Sequence, residues 1–319
     1  MKEKYDIALL VKIAQMYYIE GLKQEEIAKS LGMSRSLVSM FLTEARMLGI
    51  VEINIRDPLL NNEILASKFM RIFQLKQCAI IPTSVRDENA LRKIIAQRTV
   101  EVFNRYIKGS ETIGLAWGRV CHQFVSLYPN TLHYKGKSVV PLIGGSNQKA
   151  SYFQINEMVR NLAEKMNGVP YFIHAPALAS DREERDLYFQ STSMGKIQEK
   201  WKQMDMVITG IGSLPKSKDL DRAVYIGEYE IFRELESMRA VGDICARYFT
   251  LEGDFLRGTY YERTVAVPLE DLQKTKNILA IAAGMDKVQP ILGALRAGIV
   301  SQLITDEQTA KAVLGLGGY

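Results

Sequence analysis

Residues 24–42, QEEIAKSLGMSRSLVSMFL, decide how the chain is read. Apolar side chains fall at Ile27, Leu31, Met33, Val38 and Phe41, with the small residues Ala28 and Gly32 between them. That spacing fits two short helices that cross at a tight turn and share one core, a helix-turn-helix. Ala28 suits the closest approach of the two helices, where a longer side chain would push them apart. Gly32 follows the last periodic residue of the first helix, where a positive φ is expected. Ser34 is placed to cap the second helix by accepting from an orphan amide. Leu37, Val38, Phe41 and Leu42 occupy the apolar face of that helix, so Arg35, Ser36 and Ser39 point outward near its start. Donors of this kind reach base edges and phosphates in a major groove. With Gln24, Lys29 and Ser34 they form the candidate contacts to double-stranded DNA. A two-helix core element without a ligand is the blander reading.

The flanks extend the motif. Ile7 to Tyr18, IALLVKIAQMYY, reads as a preceding helix. In 45–55, ARMLGIVEINI, Gly49 ends a helix, and Ile50, Glu52 and Asn54 then alternate with Val51, Ile53 and Ile55 as a strand would. A winged helix-turn-helix, mainly α, is expected over residues 1–58, and NIRDPLLNN at 54–62 suits a connection.

At 319 residues the chain is too long for one such module and has room for a second domain, over 59–319, with a core of its own. Hydrophobic content of 47% and charged content of 24% are those of an ordinary globular protein. Net charge is only +5, and residues 1–58 carry eight Lys/Arg against eight Asp/Glu, so DNA binding rests on pattern and on Lys29, Arg35 and Arg46. Cys78, Cys121 and Cys245 are too widely spaced for a disulfide framework, and with His122, His133 and His174 they form no zinc signature. The first residues do not read as a signal peptide, and no apolar run approaches the ~20 residues of a membrane span. A cytoplasmic protein without membrane contact is expected.

Beyond residue 59, strand-like runs at 78–81, 112–117, 139–143, 171–174, 206–211, 278–282 and 302–305 alternate with helical spacing at 90–106, 153–166, 288–297 and 307–314. This rhythm implies an open, Rossmann-like α/β domain built on a parallel sheet with helices on both faces. Ligands of such sheets bind outside the carboxyl ends of the strands. Several of these ends are rich in glycine. Residues 112–117 run into Gly118 and Arg119, 139–143 into Gly144, Gly145, Ser146 and Asn147, 206–208 into Thr209, Gly210, Ile211, Gly212 and Ser213, and 278–282 into Ala283, Gly284, Met285, Asp286 and Lys287. Glycine lets a ligand approach the backbone, and Arg119 and Lys287 have the charge to neutralise a phosphate. Arg119 near a helix start opposes the macrodipole and so points to an anion nearby.

With these motifs in view the whole chain resembles the SorC family of sugar-responsive bacterial transcriptional regulators. The resemblance is carried by residues 9–55, by IGLAWGR at 113–119, LIGG at 142–145, APALAS at 175–180, VITGIGS at 207–213, AVGDICARYFTLEGD at 240–254, and the long run from ILAIAAGMDK at 278 to 314. It implies an effector domain similar to sugar-phosphate isomerases and deaminases, a carbohydrate or sugar-phosphate effector, no other cofactor, and a homotetramer arranged as a dimer of dimers. By resemblance, Ala116, Trp117, Gly118 and Arg119 form a phosphate-binding loop, Asp243 accepts from effector hydroxyls, Lys287 contacts the effector, and Gly144 and Gly145 floor the pocket. Gly210, Gly212 and Gly284 join them as candidates from the strand ends. Val120 departs from the family's usual Thr, and Ala283 from a frequent Gly.

Blander roles stand beside these: Asp243 as a helix N-cap ahead of a helical run 244–248, Lys287 as a solvated residue of a first helical turn, Trp117 as packing. An enzyme with an appended DNA-binding module is the alternative function. The related deaminases place an acidic residue and a histidine after the TGIG turn, where this chain has Ser213, Leu214 and Pro215. A DNA-binding protein whose large domain only oligomerises is the third.

Overall fold

The structure, a computed structural model, describes residues 6–51, 62–82, 87–130, 134–146, 154–214 and 229–319. The chain divides into two compact units, Met1–Leu59 and Leu60–Tyr319.

In the first unit α1 spans Ile7–Tyr18, α2 Gln24–Leu31 and α3 Arg35–Met47. Local sequence sets each boundary. The Asp6 carboxylate accepts from Ala8 N at 2.9 Å to start α1. Gly32 ends α2 at φ 64°, and Ser34 Oγ accepts from Leu37 N at 3.2 Å to start α3. Leu10, Ile13, Ile27, Ala28, Val38, Phe41 and Leu42 close over one another in a buried core, each large side chain contributing roughly 1.5–3 kcal/mol. Ser34→Ala is expected to destabilise this unit by about 1 kcal/mol, read as faster amide exchange across α3 with exchange in the second unit unchanged. The strand expected from Ile50 and the connection over 54–62 fall mostly on residues outside those described.

The second unit holds a seven-stranded sheet among its described residues, with all pairs parallel. In chain order the strands are β1 (Gln77–Ile81), β2 (Thr112–Leu115), β3 (Ser138–Pro141), β4 (Val169–Pro170), β5 (Met206–Gly210), β6 (Gly212–Ser213), β7 (Gly242–Ile244), β8 (Arg247–Phe249), β9 (Asn277–Ile281) and β10 (Gln302–Asp306). Their order across the sheet is β1-β10-β9-β5-β2-β3-β4, while β6-β7-β8 form a separate antiparallel sheet. One face packs Ile113, Met206, Ile208, Leu279 and Ile281 against the helices Glu88–Tyr106, Arg119–Leu127 and Ile155–Met166. Their strand neighbours Val207, Ile278 and Ala280 face the other way, onto Trp201, Ile291, Leu292 and Val313. Burial on both faces explains why these strands read as unbroken apolar runs. From β2 the chain winds outward to β3 and β4, and from β5 it winds the opposite way to β9 and β10. The boundary between β2 and β5 is therefore a topological switch point, where open α/β sheets take their ligands.

Two expected elements are corrected. The strand expected at 171–174 is only Val169–Pro170, because the Asn156 side chain takes the backbone of Ile173, donating from Nδ2 to Ile173 O at 2.9 Å and accepting from Ile173 N at 3.1 Å. The helical run 244–248 behind a capping Asp243 is instead the β7–β8 hairpin. Cys245 and Ala246 hold left-handed φ of 52° and 58° at its two-residue turn, the geometry that matches strand twist although both residues pay for it sterically.

Candidate functional site

The turn after β2 places Ala116, Trp117 and Gly118 ahead of the helix that Arg119 opens. Ala116 N still donates to Ile208 O at 2.9 Å, which locks the start of the turn to β5. Gly118 lies at φ 122°, ψ 158°, a conformation only glycine adopts without strain, and it leaves the helix without a side-chain cap. The first amides of that helix thus face the end of β2 with partial positive charge, and Arg119 at its first position is exposed. Trp117 is half-buried and packs into the cores on both sides of the turn, as its blander reading holds.

Across the switch point, Gly210 ends β5 and Gly212 pairs with Asp243 in β6–β7. A Cβ on Gly212 would lie 1.8 Å from Asp243 Oδ1, so the carboxylate occupies the space a side chain would take. Asp243 Oδ2 accepts from Ala246 N at 3.0 Å, which fixes the carboxylate and supports the strained hairpin turn. After β9, Gly284 at φ 107° turns the chain. Its amide donates to Asp306 Oδ2 at 2.8 Å and to Thr309 Oγ1 at 2.9 Å, so Gly284 acts by bending the backbone. Lys287 is brought over the site, and its Nζ donates to Ser213 Oγ at 2.8 Å.

Charges at the centre are unequal to those in water. Burial raises the Asp243 carboxyl above the usual carboxylate range, against the Ala246 amide and Lys287, which both lower it. Burial likewise lowers the Lys287 ammonium; Asp286 and Asp243 oppose that shift and Arg119 adds to it. The Lys287 Nζ–Ser213 Oγ bond and the pairing of Gly212 with Asp243 bring Lys287 and Asp243 to one centre, and Arg119 opens the helix after β2, the strand beside β5. Burial pushes the thiols of Cys121 and Cys245 up to about 12, so both remain protonated and packed. Because Asp243 holds its proton to higher pH folded than unfolded, the folded state binds more protons between its ordinary and its raised value. Stability from this group is thus present at low pH and lost as pH rises through that window. The apo protein is expected to lose this increment on titration upward from the ordinary carboxylate range, and Asp243→Asn to lack it in paired denaturant melts.

Gly144 and Gly145, expected as pocket floor, have their amides engaged. Gly144 N donates to Val265 O and Gly145 N to Ala175 O, each at 2.9 Å, and a Cβ on Gly144 would meet Pro176 O at 2.3 Å. They form a backbone crossing that holds the 175–178 segment against β3. Ser213, the hydroxyl between Lys287 and the Asp286 carbonyl, belongs to the centre together with the expected Gly212 beside it.

In the first unit Lys29, Ser34, Arg35, Ser36 and Ser39 are all exposed and Gln24 is half-buried at the start of α2. Ser34 Oγ lies 3.0 Å from Ser36 Oγ, and Arg35 Nη1 lies 3.3 Å from Glu25 Oε1. Arg35, Ser36 and Ser39 leave α3 opposite buried Val38, Phe41 and Leu42, a polar face free of the core.

Known proteins match over the same extent. The Sugar-bind family, described as a sugar-binding domain, matches residues 57–315. The sorbitol operon regulator of Klebsiella pneumoniae is 28% identical over 315 residues, 98% of this chain and 100% of that protein. The deoxyribonucleoside regulator of Bacillus subtilis is 27% identical over 307 residues, 96% of this chain and 97% of its own. The crystal structure of full-length SorC from K. pneumoniae superposes with a TM-score of 0.82, covering 98% of this chain and all of that one at 28% identity. A transcriptional regulator from Streptococcus pneumoniae TIGR4 gives 0.73 at 29% identity over 81% of this chain and 98% of its own.

Proposed function

The chain belongs to the sugar-binding-domain family, in the SorC group of transcriptional regulators, and from that premise we propose how it works. It is a DNA-binding regulator of a carbohydrate-uptake or catabolism operon and not an enzyme; a sugar or sugar-phosphate in the second unit controls its grip on operator DNA. The observation that carries the effector reading is Lys287 bonded to Ser213 beside the Gly212–Asp243 pair, with Arg119 opening the helix after β2, at the switch point between β2 and β5. Two cations near one helix N-terminus suit a phosphate, and the Asp243 carboxylate suits hydroxyls. Gly118, Gly210, Gly212 and Gly284 shape the turns around the ligand, with Ala116 and Trp117 behind it. No cofactor beyond the effector is needed. Operator contacts come from Gln24, Lys29 and Ser34 at phosphates and from Arg35, Ser36 and Ser39 at base edges.

Two heads related by a dyad take half-sites about one helical turn or a multiple apart, so the operator is roughly palindromic. A homotetramer of two such dimers, working in the cytoplasm, completes the proposal. Among the described residues no helix is long and apolar enough to cross a membrane.

A thermal-shift screen against matched pairs of free and phosphorylated sugars and polyols tests the effector site. Its ligand should stabilise the second unit by about 2.7 kcal/mol at a hundred times Kd, and the shift should vanish in Lys287→Ala. Stabilisation by the unphosphorylated member alone would remove the phosphate role from 116–119.

A further inference from the structure

We infer that Glu25 sets the sequence specificity of the operator contact by holding Arg35, a positioning role that rests on reading α2 and α3 as the operator-binding element. Glu25 lies in the first turn of α2 and Arg35 in the first turn of α3. Their 3.3 Å contact ties the starts of the two helices together across the turn between them. The other first-turn carboxylate of α2 has a different task, since Glu26 Oε2 accepts from Lys23 N at 2.7 Å. Glu25 and Arg35 side chains are 71% and 68% exposed, so the pair adds little to stability in high dielectric. Its effect lies in what it does to a guanidinium on the surface α3 presents.

An unrestrained arginine has five donors on a long stem and reaches a phosphate as readily as a base edge. A phosphate contact carries no sequence information, whereas bidentate donation to guanine O6 and N7 requires the guanidinium plane to lie in the plane of the base pair. The Glu25 carboxylate stands beside Nη1, biases the guanidinium toward α2 and leaves its far edge to donate. It also neutralises part of the charge that would draw Arg35 to phosphates of any sequence. Ser36 has a similar neighbour, with Ser34 Oγ 3.0 Å from its own Oγ, so both outward residues of the first turn of α3 carry a local partner. The carboxylate thus trades sequence-blind affinity for discrimination, a case of specificity raised by weakening the wrong contact.

The test uses the full chain. A duplex enriched by the wild-type protein from a random-sequence library is compared with a base-shuffled duplex of the same composition, over a range of salt, for wild type, Glu25→Gln, Arg35→Ala and the double variant. Glu25→Gln should bind the shuffled duplex more tightly, with a salt slope steeper by about one ion. Its ratio of enriched to shuffled affinity should fall about two- to fivefold. In the Arg35→Ala background Glu25→Gln should leave that ratio unchanged. An unchanged ratio in the single variant overturns the inference, and so does an equal fall in the Arg35→Ala background, which would mean that Glu25 reads a base itself. If the wild type enriches no sequence, the operator-binding reading falls and takes this inference with it; enrichment with an unchanged ratio overturns the inference alone.

Discussion

Gly212→Ala is expected to weaken effector binding by at least about a hundredfold, a loss of roughly 2.7 kcal/mol. The new Cβ would sit 1.8 Å from Asp243 Oδ1 and 2.8 Å from its Cγ, so the carboxylate must leave its place. Two losses combine. The charge-assisted bonds proposed from Asp243 to effector hydroxyls, worth about 1.5–3 kcal/mol, would be misaligned, and the Oδ2 bond that supports the left-handed residues Cys245 and Ala246 would be disturbed. Overpacking costs about 1–3 kcal/mol of stability as well, so calorimetric titration must accompany a circular-dichroism melt. The operator-binding helices lie in the other unit and keep their core. Effector affinity within threefold of wild type in a folded Gly212→Ala protein would remove Asp243 from the site.

Arg35→Ala should lower operator affinity by roughly 5–150-fold, about 1–3 kcal/mol, and relax sequence preference at one position of each half-site. Effector-induced stabilisation of the second unit should be unaltered. Lys29→Ala provides the contrast. It should weaken enriched and shuffled duplexes alike and reduce the salt slope by about one ion. Fluorescence polarisation over a salt series separates the two patterns, and an Arg35→Ala protein that keeps full operator affinity would exclude Arg35 from the interface.

The helix-turn-helix was legible because its signals are local. The period of Ile27, Val38 and Phe41, the glycine at 32 and the cap at Ser34 each act within a few residues, and each is found in that role. Strands β1, β2, β5, β9 and β10 were legible as doubly buried apolar runs, and their adjacency at the switch point follows from topology. Other features depend on partners that the sequence does not reveal. Cys245 and Ala246 lack the Asn or Gly that marks a type I′ turn, so 244–248 matched a helix equally well. Composition cannot distinguish a glycine whose amide is free from Gly144 and Gly145, whose amides are spent on Val265 and Ala175 from distant segments. Ser213 was hidden for the same reason, since its place is defined by Lys287 from a different strand end. In each case local chemistry was readable and long-range hydrogen bonding was not.

The coupling between the two units is the central claim, and one titration addresses it. Operator affinity of the full chain is measured with and without a saturating concentration of the compound that raises the melting temperature most. Linkage predicts a change of about 5–150-fold, corresponding to ~1–3 kcal/mol of coupling free energy, lost in Gly212→Ala and Lys287→Ala. An operator affinity identical with and without a ligand that demonstrably binds would contradict effector control.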